Sequence, residues 1–223
     1  NTTTDNSQQA PSVAMGADGR YVVTWDDSAQ DGDNWGIYAQ RYSADGTAAG
    51  GQFQVNTHTG DQQRYPSVAM AADGRFVITW QGGGGQDGDS WGIFAQRYNA
   101  DGSTEGGEFQ VNTYTSDDQH SPSVAMAADG RFVVTWQSHA QDGDSWGIYA
   151  QRYNADGTAE GDEFRVNSTT GRPQQGPEVA MAANGDFVIT WDTRIDTAHD
   201  HWGIHGQRYT WDGAAVGGEM TIF

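Results

Sequence analysis

The chain of 223 residues contains no cysteine, so disulfides play no part in holding it together. It contains no lysine either. All 11 basic side chains are arginine, set against 30 Asp and Glu for a formal net charge of -19. Each phosphate contact takes roughly one Lys or Arg, so this balance argues against nucleic acid and anionic membranes as partners. An acidic surface favours cations and solubility, and it keeps copies of the chain apart. No apolar run approaches the ~18 residues of a membrane span, which argues against membrane insertion. The sequence opens at Asn1 with neither a methionine nor an apolar leader, which predicts processing or excision from something larger.

Glycine (31 residues) and aromatics, nine of them Trp, are abundant, and proline is scarce. With recurring Val-Val and Val-Ile pairs, this composition suits short strands joined by tight turns and supplies too much core for disorder. The main fact is a repeat. Pro11, Pro66, Pro122 and Pro177 align four copies spaced about 55 residues apart, within the range of propeller blades and solenoid units. The third copy reads PSVAMAADGRFVVTW, WGIYAQRYNADG, GDEFRVNS. The fourth has drifted to PEVAMAANGDFVITW, WGIHGQRYTWDG, GGEMTIF.

Each copy carries four strand signals, in the first at residues 13–15, 21–25, 35–42 and 52–56. Asp18-Gly19 and Asp45-Gly46 join the first pair and the last pair. Such dipeptides predict type I′ hairpins, whose two central residues need positive φ. Four antiparallel strands per unit, repeated with little variation, predict an all-β fold: a β-propeller of four blades at approximately 8–56, 63–112, 119–167 and 174–223, forming one domain. The Asp-Gly turns then share one face, and the longer, more varied loops share the other, where function usually sits. Each blade is contiguous in sequence. Closure therefore comes from the first blade packing on the fourth, or from partner chains, two of which would make an eight-bladed ring. A homodimer and neighbouring repeats of a larger chain are the corresponding partners.

The segments WGIYAQRYNADG, GGEFQVNT and AADGRFVVTW resemble tandem repeats of large bacterial secreted proteins of hemolysin-type calcium-binding or adhesin-like character. The resemblance covers essentially the whole chain. It implies a secreted or cell-surface scaffold or binding module rather than a reaction. Similarity to bacterial propeller lectins is one of fold.

Four constellations carry candidate chemistry. Asp31 with Asp33, Asp87 with Asp89, and Asp142 with Asp144 flank a glycine in the second loop of three copies. Carboxylates at i and i+2 can converge on calcium, or an Asp can simply cap its own turn. Trp35, Trp91, Trp146 and Trp202 stand where that loop enters the third strand. There a ring can face a sugar beside Asp and Gln, or pack between blades. Trp25, Trp80, Trp136 and Trp191 lie inside the second strand and read as core. Gln8, Gln63, Gln119 and Gln174 precede the first strand, where they either ring the channel mouth or cap a loop. Arg41, Arg97, Arg152 and Arg208 read as architectural pairs between blades. In the divergent fourth copy, His199, His201 and His205 share a strand parity that could turn imidazoles toward one transition metal.

Catalysis finds little support. There is no cysteine nucleophile, no Gly-x-Ser-x-Gly elbow and no lysine for a Schiff base. Repetition suits multivalent binding better than a unique reactive constellation. The expectation is a non-enzymatic, lectin-like module that recognises a glycan or another polar ligand, with calcium as a candidate aid. The alternatives are a structural spacer of a large secreted protein and, behind it, a glycan-active enzyme.

Overall fold

A computed structural model describes residues 6–28, 30, 32, 34–196 and 201–222. The strands are β1 (Gln8–Met15), β2 (Tyr21–Ser28), β3 (Trp35–Tyr42) and β4 (Phe53–Gln54) in the first repeat. The second repeat has β5 (Gln63–Met70), β6 (Phe76–Gly82), β7 (Gly92–Tyr98) and β8 (Phe109–Gln110). The third has β9 (Gln119–Met126), β10 (Phe132–His139), β11 (Trp146–Tyr153) and β12 (Ala159–Arg165). The fourth has β13 (Gln174–Met181), β14 (Phe187–Asp196), β15 (His201–Tyr209) and β16 (Ala215–Ile222). Every repeat is its own four-stranded sheet, with neighbours in chain order and every pairing antiparallel. The first strands β1, β5, β9 and β13 line a cavity of about 410 Å³. That places them innermost.

The Asp-Gly turns sit on one face, but they are not type I′. Gly19 N–H bonds the carbonyl of Gly16, and Gly16 N–H bonds that of Arg20. Asp18 therefore keeps a negative φ, and only Gly19, at φ 82°, is left-handed. This is a type I turn closed by a glycine bulge, the geometry of a three-residue hairpin loop. The innermost strands begin several residues earlier than expected. Their ladder slips between Gln9 and Ser12, around Pro11, which has no N–H to give. The residue before each of the four repeated prolines takes positive φ: Ala10, Tyr65, Ser121 and Gly176.

That bulge turns a backbone N–H out of its own sheet toward the preceding blade. Tyr65 N–H is accepted by Asp26 Oδ2 at 3.2 Å, Ser121 N–H by Gln81 Oε1 at 2.9 Å, and Gly176 N–H by Gln137 Oε1 at 2.9 Å. One residue beyond the proline, Ser12, Ser67 and Ser123 each accept the N–H of a valine on the next blade: Val68, Val124 and Val179. At the outer side, Arg41, Arg97 and Arg152 donate to the carbonyls of Ala100, Ala155 and Trp211 on the next blade. Three of the four repeated arginines thus tie one blade to the next. Between these clasps lies a dry layer. Val77, Ile93, Ala95 and Val111, for example, pack on Phe132, Val134, Trp136 and Tyr153.

Among the described residues, three such seams join the blades in order and none joins the fourth blade to the first. Val13 of the first blade is 63% exposed where its counterpart Val68 is 6% exposed. Ile204 of the fourth is 43% exposed where Ile148 is fully buried. Among the described residues the first blade does not pack on the fourth, one of the two routes to closure expected above.

One seam carries an avoidable cost. Asp26 is fully buried, and burial pushes its carboxyl above the usual range, against the opposing pull of the Tyr65 amide and Arg64. A raised folded pKa gives stability that is present below the ordinary value of 3.8 and lost as pH rises through the folded value. Gln81 and Gln137 do the same work uncharged. Asp26→Gln is therefore expected to raise Tm at pH 7, by roughly 2–4 °C per kcal/mol gained, with the gain vanishing below pH 3.8. Melting curves across pH check this.

Candidate functional site

The loop face is built where the second-to-third-strand loops meet the innermost strands. Trp35, Trp91 and Trp146 stand there half-buried at the start of the third strands, and Trp202 is exposed. Each of the first two is overlapped by a residue of the next blade. The Arg64 guanidinium lies 4.2 Å over Trp35, a cation–π contact. The His120 ring lies 5.3 Å from Trp91 and 5.5 Å from Trp146, so it bridges two blades. His139, paired with Trp146 across the end of the β10–β11 ladder, meets that indole edge-on at 5.1 Å. Trp35, Trp91 and Trp146 thus pack against neighbouring side chains and remain partly exposed.

Carboxylates border this aromatic row. Asp118 Oδ2 lies 3.8 Å from His120 Nε2, Asp117 Oδ1 lies 3.8 Å from His139 Nδ1, and Ser90 Oγ donates to Asp118 at 2.6 Å. Burial pushes the His120 imidazole below its ordinary value, with Asp118 opposing. Burial thus favours the neutral ring, which has one nitrogen to donate and one to accept. The result is a shelf of aromatic faces edged with hydroxyl, imidazole and carboxylate groups. Sequence reasoning passed over His120, His139 and Arg64 because those positions vary between copies. The available signal was that very variation: Arg64 and His120 follow Gln63 and Gln119, which recur in every copy.

The glutamines do not ring the channel mouth. Gln63, Gln119 and Gln174 are fully buried, and their side-chain carbonyls accept from Asn56, Asn112 and Asn167 at 3.1, 3.0 and 2.9 Å. The same asparagines accept the N–H groups of Ile37, Ile93 and Ile148. Each Gln–Asn pair thereby latches the end of one blade to the start of the next. Gln8 is half-buried and donates to Asp27 at 2.9 Å. Gln63 and Gln119 also donate to the loop carbonyls of Gly60 and Ser116 from beneath.

Asp31, Asp33 and His199 lie outside the described residues. Asp87 and Asp142 each accept the N–H of Asp89 and Asp144 at 3.3 Å, a local turn. Asp89 holds the N–H of Asp117 at 2.9 Å. His201 faces Asp196 at 3.9 Å, and His205 meets Glu219 at 3.0 Å beside Trp191. Four residues of strand separate the two imidazoles by roughly 13 Å, too far to share an ion. His205 occupies the aromatic position of Tyr38, Phe94 and Tyr149 in the same register. Among the described residues, no three acids or histidines gather as metal ligands.

Radial packing of like sheets around an axial hollow decides the architecture. The four sheets are β-propeller blades. Solved structures agree. A Dyadobacter fermentans protein of unknown function superposes with a TM-score of 0.66 at 12% identity, over 93% of this chain and 67% of that one. The endo-arabinase of Bacteroides thetaiotaomicron gives 0.57 at 16%, over 96% and 81%. The family 93 α-L-arabinofuranosidase of Fusarium graminearum gives 0.66 at 10%, over 96% and 66%. At these identities the similarity is one of fold, and this propeller spans only part of each. No family model and no curated protein matches the sequence. No helix among the described residues is long and apolar enough to cross a membrane.

Proposed function

We propose that this propeller is a non-enzymatic binding module of a secreted or cell-surface protein that holds a glycan on its loop face. The observation that carries the reading is the row Trp91–His120–Trp146–His139, half-buried and edged by Asp117, Asp118 and Ser90. Sugar C–H faces stack on indoles while carboxylates and imidazoles take the hydroxyls. Arabinan oligosaccharides are the first probes, because two of the structural neighbours are arabinose-active. Hydrolysis of a glycosidic bond would call for a carboxylic acid with a raised pKa opposite a second carboxylate. Asp26, whose carboxyl burial holds above its ordinary value, lies in a blade seam.

A glycan array including arabinan, run with calcium and with chelator, tests the reading. A hit is expected, with affinity falling about tenfold or more in Trp146→Ala, the loss of one stacking face. Absence of binding under both conditions overturns it. A response to chelator would identify calcium as an aid through the Asp loops.

A further inference from the structure

We infer that the forward face of the fourth blade and the rear face of the first are mates, and that a second copy of this chain docks there head to tail. Val188 stands opposite Arg208 in the fourth blade as Val22 stands opposite Arg41 in the first, so the fourth forward face repeats the register of the three that are covered. The polar clasps are also kept in sense. Arg208, exposed, takes the place of Arg41, Arg97 and Arg152, which each donate to a carbonyl of the following blade. Asp192 takes the place of Asp26, Gln81 and Gln137, which accept the bulge N–H. Glu178 stands at the position of Ser12, Ser67 and Ser123, but its carboxylate already accepts from Ser123 Oγ at 2.9 Å and so adds nothing to the forward face.

The first blade's rear face carries the complement. Ala44 is the counterpart of Ala100, whose carbonyl Arg41 binds; Ala10 shares the positive φ of Tyr65; and Val13 matches Val68. The apolar layers match as well. Ile204 and Ile222 are exposed on one face, and Val13 and Met15 on the other. Each face is hollow where a neighbour is missing. A cavity of about 210 Å³ reaches Trp25 and Val23 on the first blade, and one of about 310 Å³ runs along Val188 and Arg208 on the fourth. A partner with this donor, acceptor and apolar order is one that presents the first blade's own rear face. The contact is heterologous, so two copies still offer one free face of each kind. These close on each other when the turn per blade fits an eight-bladed ring, and otherwise recruit a third copy.

Sedimentation velocity on the intact chain tests this. The wild type, at tens of micromolar in roughly 0.5 M salt to screen the acidic surface, is expected at twice the 24.1 kDa chain mass or more. Val13→Glu spoils only the rear face and Ile204→Glu only the forward face, so each alone should sediment as a single chain. Their equimolar mixture should restore a two-chain species, because one good face remains on each. Both sites are exposed, and unchanged circular dichroism verifies the fold. If either acid unfolds its blade, Met15→Ser and Arg208→Ala give the same comparison. A monomeric wild type, a single variant that still associates, or a mixture that stays monomeric overturns the inference.

Discussion

Trp136→Ala is expected to destabilise the protein by about 3–5 kcal/mol, the usual cost of emptying a core site of this size. Trp136 is fully buried and fills the seam between the second and third blades, against Val77, Ile93 and Val111. Its loss removes contacts on both sides of a layer that cannot collapse without shifting two rigid sheets. At roughly 2–4 °C per kcal/mol for a chain of this size, the melting temperature should fall by about 6–20 °C. The informative comparison is Trp25→Ala. Trp25 holds the same position in the first blade, but a cavity lies beside it where no neighbour packs. Its removal should cost clearly less, and equal losses in thermal melts would contradict the unmade fourth seam.

Asn112→Ala should cost about 2–5 kcal/mol, although it removes only a small polar side chain. Asn112 accepts the N–H of Ile93 at 2.7 Å and donates to Gln119 Oε1 at 3.0 Å and to the Tyr114 carbonyl at 2.8 Å. Ile93 and Gln119 are both fully buried, so water cannot replace the lost partner. Each buried group left unsatisfied costs about 1–3 kcal/mol. Urea unfolding of Asn112→Ala beside an exposed substitution such as Asp101→Ala checks this. Losses of similar size would mean that the Asn–Gln latch does not hold adjacent blades.

The blade itself was legible because its signals are local. Trp35–Tyr42 is a strand over the residues its alternation marks, and Asp-Gly turns fall on one face. Trp80, Trp136 and Trp191 are core, as β-branched neighbours imply. The start of the innermost strands was not legible, because Pro11 and its counterparts read as breakers although a bulge accommodates them. The turn type was misread because Asp-Gly suits both a type I′ turn and a glycine bulge, and only the loop's hydrogen bonds distinguish them. At the candidate site the repeated tryptophans were found and the histidines beside them were not. The row joins residues of two blades, and a pattern confined to one repeat cannot register a contact made across a seam.

Within a single chain the second and third blades are gripped on both flanks, whereas the first and fourth are gripped on one. In a stack held by nearest-neighbour contacts, opening begins where one such contact is missing and travels inward. Rigidity is therefore graded along the chain. The Trp91–Trp146 shelf lies across the junction of the two stiffest units, at the position least disturbed when the ends breathe.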